Sequence, residues 1–163
     1  MSLPRTPKSA MIGPVGKKSP AATKPDSGKE KPMAKSVLIA EDEPHIIESL
    51  TFLLRRAGHR VEAVRDGAAA VDAALAHPPD LLVLDVMMPT LNGFEVLKRL
   101  RASPGLERLR VLALTAKGQD ADRQRMLDLG ADDFVTKPFS NRDLIERVDR
   151  LLADGGTAAG MAG

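Results

Sequence analysis

The sequence predicts an α/β chain with one five-stranded parallel sheet, doubly wound by helices on both faces. Three observations predict it. Continuous apolar runs at 37–40, 81–84 and 111–114 leave no polar face, the mark of strands covered on both sides. Helical segments alternate with these runs along the chain. The connections between them are short, which favours right-handed βαβ crossovers into a single parallel sheet.

Each element has a local reason. Residues 37–40 read as a short buried strand. A helix follows over about 44–57, with Ile46, Leu50, Leu53 and Ala57 on one face and Gly58 as its stop. Residues 60–64 alternate apolar and polar, so this strand is expected to be less buried. An alanine-rich helix over 68–76 is ended by Pro78-Pro79. Residues 81–84 form the third strand. Met88-Pro89 and Asn92-Gly93 then turn the chain into a helix over 93–101. The fourth strand, 111–114, leads to a polar helix over 120–129 closed by Gly130. The fifth, 133–136, precedes Ser140, a good N-cap for a last helix to about Ala153. The final stretch, GGTAAGMAG, is expected to fray.

Composition narrows the chemistry. The 163 residues suit one domain with a real core, and the absence of cysteine excludes disulfides, thiolate nucleophiles and thiolate zinc sites. His45, His59 and His77 are scattered, without metal-ligand spacing. No apolar stretch approaches the roughly 20 residues of a membrane helix. The N-terminus lacks the apolar core of a secretory signal, so a cytoplasmic protein with no membrane partner is expected.

The net charge of +2 conceals an asymmetry. Residues 1–35 hold eight Lys/Arg against Asp26 and Glu30, leaving +6; the remaining 16 basic and 20 acidic residues leave −4. Six of the twelve prolines also fall in the first 35 residues. That segment is read as a disordered basic arm, preceding a folded domain over 36–153 and a flexible tail over 154–163. It is a solubilising tail, sequence upstream of a start at Met33, or a weak electrostatic attachment; it has no aromatics for stacking on nucleic acid.

The candidate site lies at the strand ends. In open α/β sheets, ligands bind beyond the carboxyl ends of the strands. Glu41-Asp42 follows strand one, Asp85 strand three, Thr115 strand four and Lys137 strand five. Three neighbouring carboxylates would raise one another's pKa unless a cation sits among them. An all-oxygen donor set selects a hard ion such as Mg²⁺. Lys137 adds a point charge and Thr115 a hydroxyl. An aspartate beside Mg²⁺, a lysine and a hydroxyl is built to accept a phosphoryl group. Singly, each residue could be a turn, a cap or surface charge; Glu43 is first-turn charge on the following helix. Their joint occurrence at four strand ends makes them a site.

The motifs VLIAEDEP, LLVLDVMMPTLNGFE, VLALTA and GADDFVTKPF resemble the receiver domain of bacterial two-component response regulators, over roughly 36–153. The resemblance implies a flavodoxin-like receiver fold and a phosphorelay protein that is not an enzyme on other substrates. Asp85 would take a phosphoryl group from a sensor histidine kinase or a histidine phosphotransfer protein. Mg²⁺ would be held by Asp42, Asp85 and the backbone carbonyl of Met87, with Glu41 acting through a water. Lys137 would pair with the phosphoryl group, with a cis Lys137-Pro138 peptide, and Thr115 would bond a phosphoryl oxygen. Phe134 matches the switch aromatic that turns inward as Thr115 moves. Side chains at Met87 and Lys117 would tune the phosphoryl lifetime. Two positions depart from the commoner pattern: Glu41 stands where aspartate is usual, and Phe134 where tyrosine is usual.

The resemblance also implies an output surface on the fourth helix, fifth strand and fifth helix. Arg123, Asp132, Asp133, Asp143 and Arg147 match charged positions that join protomers in receivers with winged-helix output domains, so a phosphorylation-dependent homodimer is expected. With only a small tail after Ala153, a stand-alone receiver acting on an unknown protein target is expected, without direct nucleic-acid binding. The alternatives are a fragment of a larger transcriptional regulator and a Mg²⁺-dependent phosphatase of the haloacid dehalogenase type. The latter needs a second aspartate two residues after the nucleophile, where this chain has Met87.

Overall fold

The structure is a computed structural model that describes residues 34–162, with side chains placed through Ala153. The basic arm expected over 1–35 lies outside the described residues except for its last two positions. The order of elements is β1 (Ser36–Ala40), α1 (Pro44–Arg56), β2 (Arg60–Val64), α2 (Gly67–Ala76), β3 (Leu81–Asp85), α3 (Gly93–Arg101), β4 (Arg110–Ala116), α4 (Asp120–Asp128), β5 (Asp133–Lys137) and α5 (Asn141–Ala162). All five strands pair in parallel in the order β2-β1-β3-β4-β5, as the alternation of strands and helices predicts.

Alternation along the strands splits the core into two layers. Leu38, Leu82, Leu84, Val111 and Ala113 face α2, α3 and α4, meeting Ala70, Ala74, Val96, Leu97, Leu100 and Met126. Val37, Ile39, Val83, Leu112 and Leu114 face α1 and α5, meeting Leu50, Leu54, Leu144 and Val148. Each fully buried leucine contributes about 1.5–3 kcal/mol, so the central strands β1, β3 and β4 anchor the domain. β2 is an edge strand with Arg60, Glu62 and Ala63 exposed, matching its alternating sequence.

The structure adjusts several boundaries. Asp85, Thr115 and Lys137 lie within their strands, since parallel pairing continues through Asp85↔Leu114, Thr115↔Thr136 and Ala116↔Lys137. In α1 the buried pair is Leu50 and Leu54, one turn apart, while Ala57 becomes the C-cap. α5 runs on to Ala162, past its expected end near Ala153. Residues 154–162 contain no proline to break the ladder, and Ala158, Ala159 and Ala162 favour helix.

Caps set the helix starts. Asp66 accepts a hydrogen bond from Ala69 N–H at 2.8 Å, Asn92 from Glu95 N–H at 3.0 Å, and the Ser140 hydroxyl from Asp143 N–H at 3.0 Å. Each removes one unsatisfied donor from a first turn, an effect of about 1 kcal/mol.

Candidate phospho-acceptor site

Asp85 is the last residue of β3 and only 2 % exposed. Glu41, just past β1, and Thr115, in β4, are fully buried. Carboxylate oxygens of Glu41, Asp42 and Asp85 lie within 4.8 Å of one another. Lys137 closes β5, with Nζ 3.3 Å from Asp85 Oδ1 and 3.4 Å from Glu41 Oε1. The sheet register therefore collects residues more than fifty positions apart in the chain into one polar cluster.

Backbone geometry holds the cluster. Met87 N–H points to Asp85 Oδ1 at 3.4 Å, and Glu43 N–H donates to Glu41 Oε2 at 2.9 Å. Gly93 N–H donates to Val86 O at 2.7 Å. A Cβ on Gly93 would lie 2.6 Å from Asp85 O, so only glycine lets α3 begin so close to the backbone of Asp85. The Lys137-Pro138 peptide is cis, as the resemblance implied.

The charges do not balance. Three carboxylates face one lysine. Burial, then the neighbouring charge of Asp85, pushes Glu41 up to about 7 against the pull of the Glu43 amide and Lys137. Burial also raises Asp85, even though Lys137 opposes it. Burial alone would lower Lys137, but the charges of Asp85 and Glu41 raise it. Glu41, Asp42 and Asp85 thus form a largely buried acidic cluster whose all-oxygen donor set suits a hard dication such as Mg²⁺.

The remaining expected residues are spread more widely, along β4, β5 and the neighbouring helices. The Thr115 hydroxyl donates to Val135 O at a long 3.4 Å, facing β5 rather than Asp85. The Met87 side chain is 67 % exposed. Phe134 is half-buried, its ring centroid 5.1 Å from the Arg123 guanidinium and 5.9 Å from that of Arg147. On the same face, Asp133 pairs with Arg147 at 2.8 Å and Arg150 at 3.3 Å, and Arg147 with Asp143 at 3.1 Å. Arg123 pairs with Asp120. Asp132 instead turns toward Arg110 at 3.2 Å and Arg101 at 3.6 Å, and accepts from Val111 N–H at 2.8 Å, tying the turn before β5 to the end of α3.

Sequence reasoning passed over three residues in the wall of the site. Arg65 Nη2 donates to Asp42 O at 3.1 Å. The Thr90 hydroxyl donates to Asp66 Oδ1 at 3.2 Å and accepts from Ala68 N–H at 3.1 Å. The pair Asp66-Gly67 carried a signal for a capped turn, but nothing in the sequence linked it to Thr90.

Residues 37–149 match the sequence profile of the family described as "Response regulator receiver domain". Among curated proteins, the alkaline phosphatase synthesis transcriptional regulatory protein PhoP of Bacillus subtilis is 43 % identical over 120 residues, covering 74 % of this chain and 49 % of PhoP. The chain thus spans about half the length of the curated relatives it matches. The signal receiver domain of a signal transduction histidine kinase from Syntrophus aciditrophicus superposes with a TM-score of 0.69 at 38 % identity, covering 74 % of this chain and 92 % of that one. The receiver domain of sensor histidine kinase PA1611 from Pseudomonas aeruginosa has a TM-score of 0.69 at 31 % identity, over 74 % and 98 % of the two chains; that structure has a magnesium ion coordinated in its active-site cleft.

Proposed function

This chain belongs to the response regulator receiver domain family, and from that membership we propose that Asp85 accepts a phosphoryl group in two-component or phosphorelay signalling. The observation that carries the reading is the buried Asp85 carboxylate, 3.3 Å from Lys137 and grouped with Glu41 and Asp42. Burying a carboxylate to 2 % exposure at a strand end is costly, which supports a functional reason for its place.

Asp42, Asp85, the Met87 carbonyl and Glu41 are the groups that would hold Mg²⁺. The ion's chemistry would be to neutralise negative charge on the transferring group. An Asp85 oxygen attacks phosphorus, the P–N bond to the donor histidine breaks, and the freed imidazole nitrogen takes up a proton. Lys137 binds an oxygen of the new acyl phosphate. The Thr115 hydroxyl leaves Val135 O to bond another oxygen, and Phe134 follows it inward. Donors are a histidine kinase or a histidine phosphotransfer protein in the cytoplasm. The output surface is α4-β5-α5, used for a protein partner or a symmetric dimer.

Intact-mass analysis after incubation with acetyl phosphate tests this reading. One added phosphoryl group, dependent on Mg²⁺ and absent from Asp85→Asn, is the expected result. No gain in wild type, from acetyl phosphate or from a histidine kinase, overturns the acceptor role. A gain that survives in Asp85→Asn assigns it to another residue.

A further inference from the structure

The connection between β2 and α2 touches both acidic loops of the site. On one side Arg65 Nη2 donates to the carbonyl of Asp42 at 3.1 Å. On the other, Asp66 and Gly67 grip the loop that follows Asp85: the Thr90 hydroxyl donates to Asp66 Oδ1 at 3.2 Å, and Gly67 N–H donates to Pro89 O at 3.1 Å. Three consecutive residues thus span from the Asp42 loop to the Asp85 loop.

The gripped loop is strained. Thr90 has φ 65°, the one positive φ at a non-glycine among the described residues. A β-branched residue disfavours that region. Leu91 N–H donates to Pro89 O at 2.8 Å, closing a three-residue γ-turn about Thr90, a turn that is rare and strained with positive φ at its centre. Such a conformation persists only where the surroundings over-determine it. Here the surroundings are visible. The Thr90 hydroxyl is used twice, to Asp66 Oδ1 and from Ala68 N–H at 3.1 Å. Asp66 Oδ1 also caps α2 through Ala69 N–H at 2.8 Å. A Cβ on Gly67 would lie 1.9 Å from Leu91 O, so the two backbones meet with no room for a side chain.

We propose that Arg65, Asp66 and Thr90 form a brace that positions the Asp42 and Asp85 loops for the shared cation, with Thr90 as the positioning residue on the acceptor side. This rests on the metal reading proposed above. The brace touches neither the reacting atoms nor the ion. It fixes the separation of the two loops whose carboxylates must converge, and mutually repelling carboxylates would otherwise drift apart in the metal-free protein. Outer partners that orient ligands commonly govern metal affinity in this way.

The test uses the full chain, with calorimetric titration of Mg²⁺ as the readout independent of phosphorylation. Thr90→Val keeps the β-branched shape and removes the hydroxyl; it should weaken Mg²⁺ binding about tenfold or more, while Thr90→Ser stays within about threefold of wild type. Thr90→Gly relaxes the backbone while deleting the hydroxyl, so it keeps the test valid if the valine variant melts early in EDTA. It too should bind Mg²⁺ weakly. Arg65→Gln should weaken binding from the other side. With acetyl phosphate, the loss should reverse at saturating Mg²⁺, because every reacting group remains. Folded Thr90→Val and Thr90→Gly with wild-type Mg²⁺ affinity would overturn the brace alone. A wild type that binds no Mg²⁺ would overturn the metal reading and the brace with it; Mg²⁺ binding without phosphoryl uptake would leave the brace standing and overturn only the acceptor role.

Discussion

Lys137 Nζ stands 3.3 Å from Asp85 Oδ1, a direct contact between a cation and the buried carboxylate proposed as the acceptor. Replacing Lys137 with methionine keeps the stem and removes the charge. Acetyl phosphate uptake should fall by about a hundredfold or more, the usual cost of losing one aligned electrostatic group. Metal-free Lys137→Met should also be less stable at pH 8 by roughly 3 kcal/mol, because two buried carboxylates lose their partner. Phosphorylation kinetics and thermal melts would check both.

Stability without metal should depend on pH in a definite direction. The Glu41 carboxyl titrates at about 7 in the folded chain against 4.5 for the ordinary group. Between those values the folded protein holds a proton that the unfolded chain has lost, so stability falls as pH rises through the window, by up to about 3 kcal/mol. Mg²⁺ binds only ionised carboxylates. The rise in Tm on adding Mg²⁺ should therefore be large at pH 8 and small at pH 5. Glu41→Gln should flatten the metal-free pH profile and weaken Mg²⁺ binding; a profile unchanged by Glu41→Gln would exclude Glu41 as its source.

Gly67→Ala should destabilise by about 1–3 kcal/mol through overpacking, because its Cβ would meet Leu91 O at 1.9 Å. Urea melts measure this. At Gly105 a Cβ meets nothing within 4 Å, although φ is +90° there. Gly105→Ala therefore isolates the cost of a positive φ, whereas Gly67 has no positive φ and its variant reports the collision.

Phosphorylated wild type should sediment as a dimer through α4-β5-α5, at twice the mass of the untreated protein. Phe134→Leu deletes both arginine contacts, each worth about 0.5–1 kcal/mol at a half-exposed ring. It should lower Tm slightly and change the dependence of dimer formation on phosphorylation. Unchanged mass on phosphorylation would exclude the dimer.

Most of this fold is legible in the sequence, because buried parallel strands are written as unbroken apolar runs. Leu81–Asp85 is wholly buried, and Leu82 and Leu84 serve one layer while Val83 serves the other. The clustering of Glu41, Asp42, Asp85 and Lys137 followed from strand parallelism alone, since every strand then ends on the same edge. Thr115 was placed correctly along the chain, but its hydroxyl direction toward Val135 depends on the β4–β5 register, which no local pattern encodes. Thr90 was invisible for a deeper reason. Its positive φ is imposed by Asp66 and Gly67, more than twenty residues earlier, and threonine itself argues against it. The resemblance groups Asp132 with the surface charges of the output face. Its carboxylate in fact faces Arg101 and Arg110.

Arg147 reaches three things at once: the face of Phe134, the carboxylate of Asp133 and the carboxylate of Asp143. Rewiring this protein to a new partner by exchanging charges on the output face would therefore not be a modular edit. Any replacement of Arg147 disturbs the ring proposed as the switch together with the surface proposed for recognition. On that proposal, sequence drift at this position trades whom the protein answers to against how readily it fires.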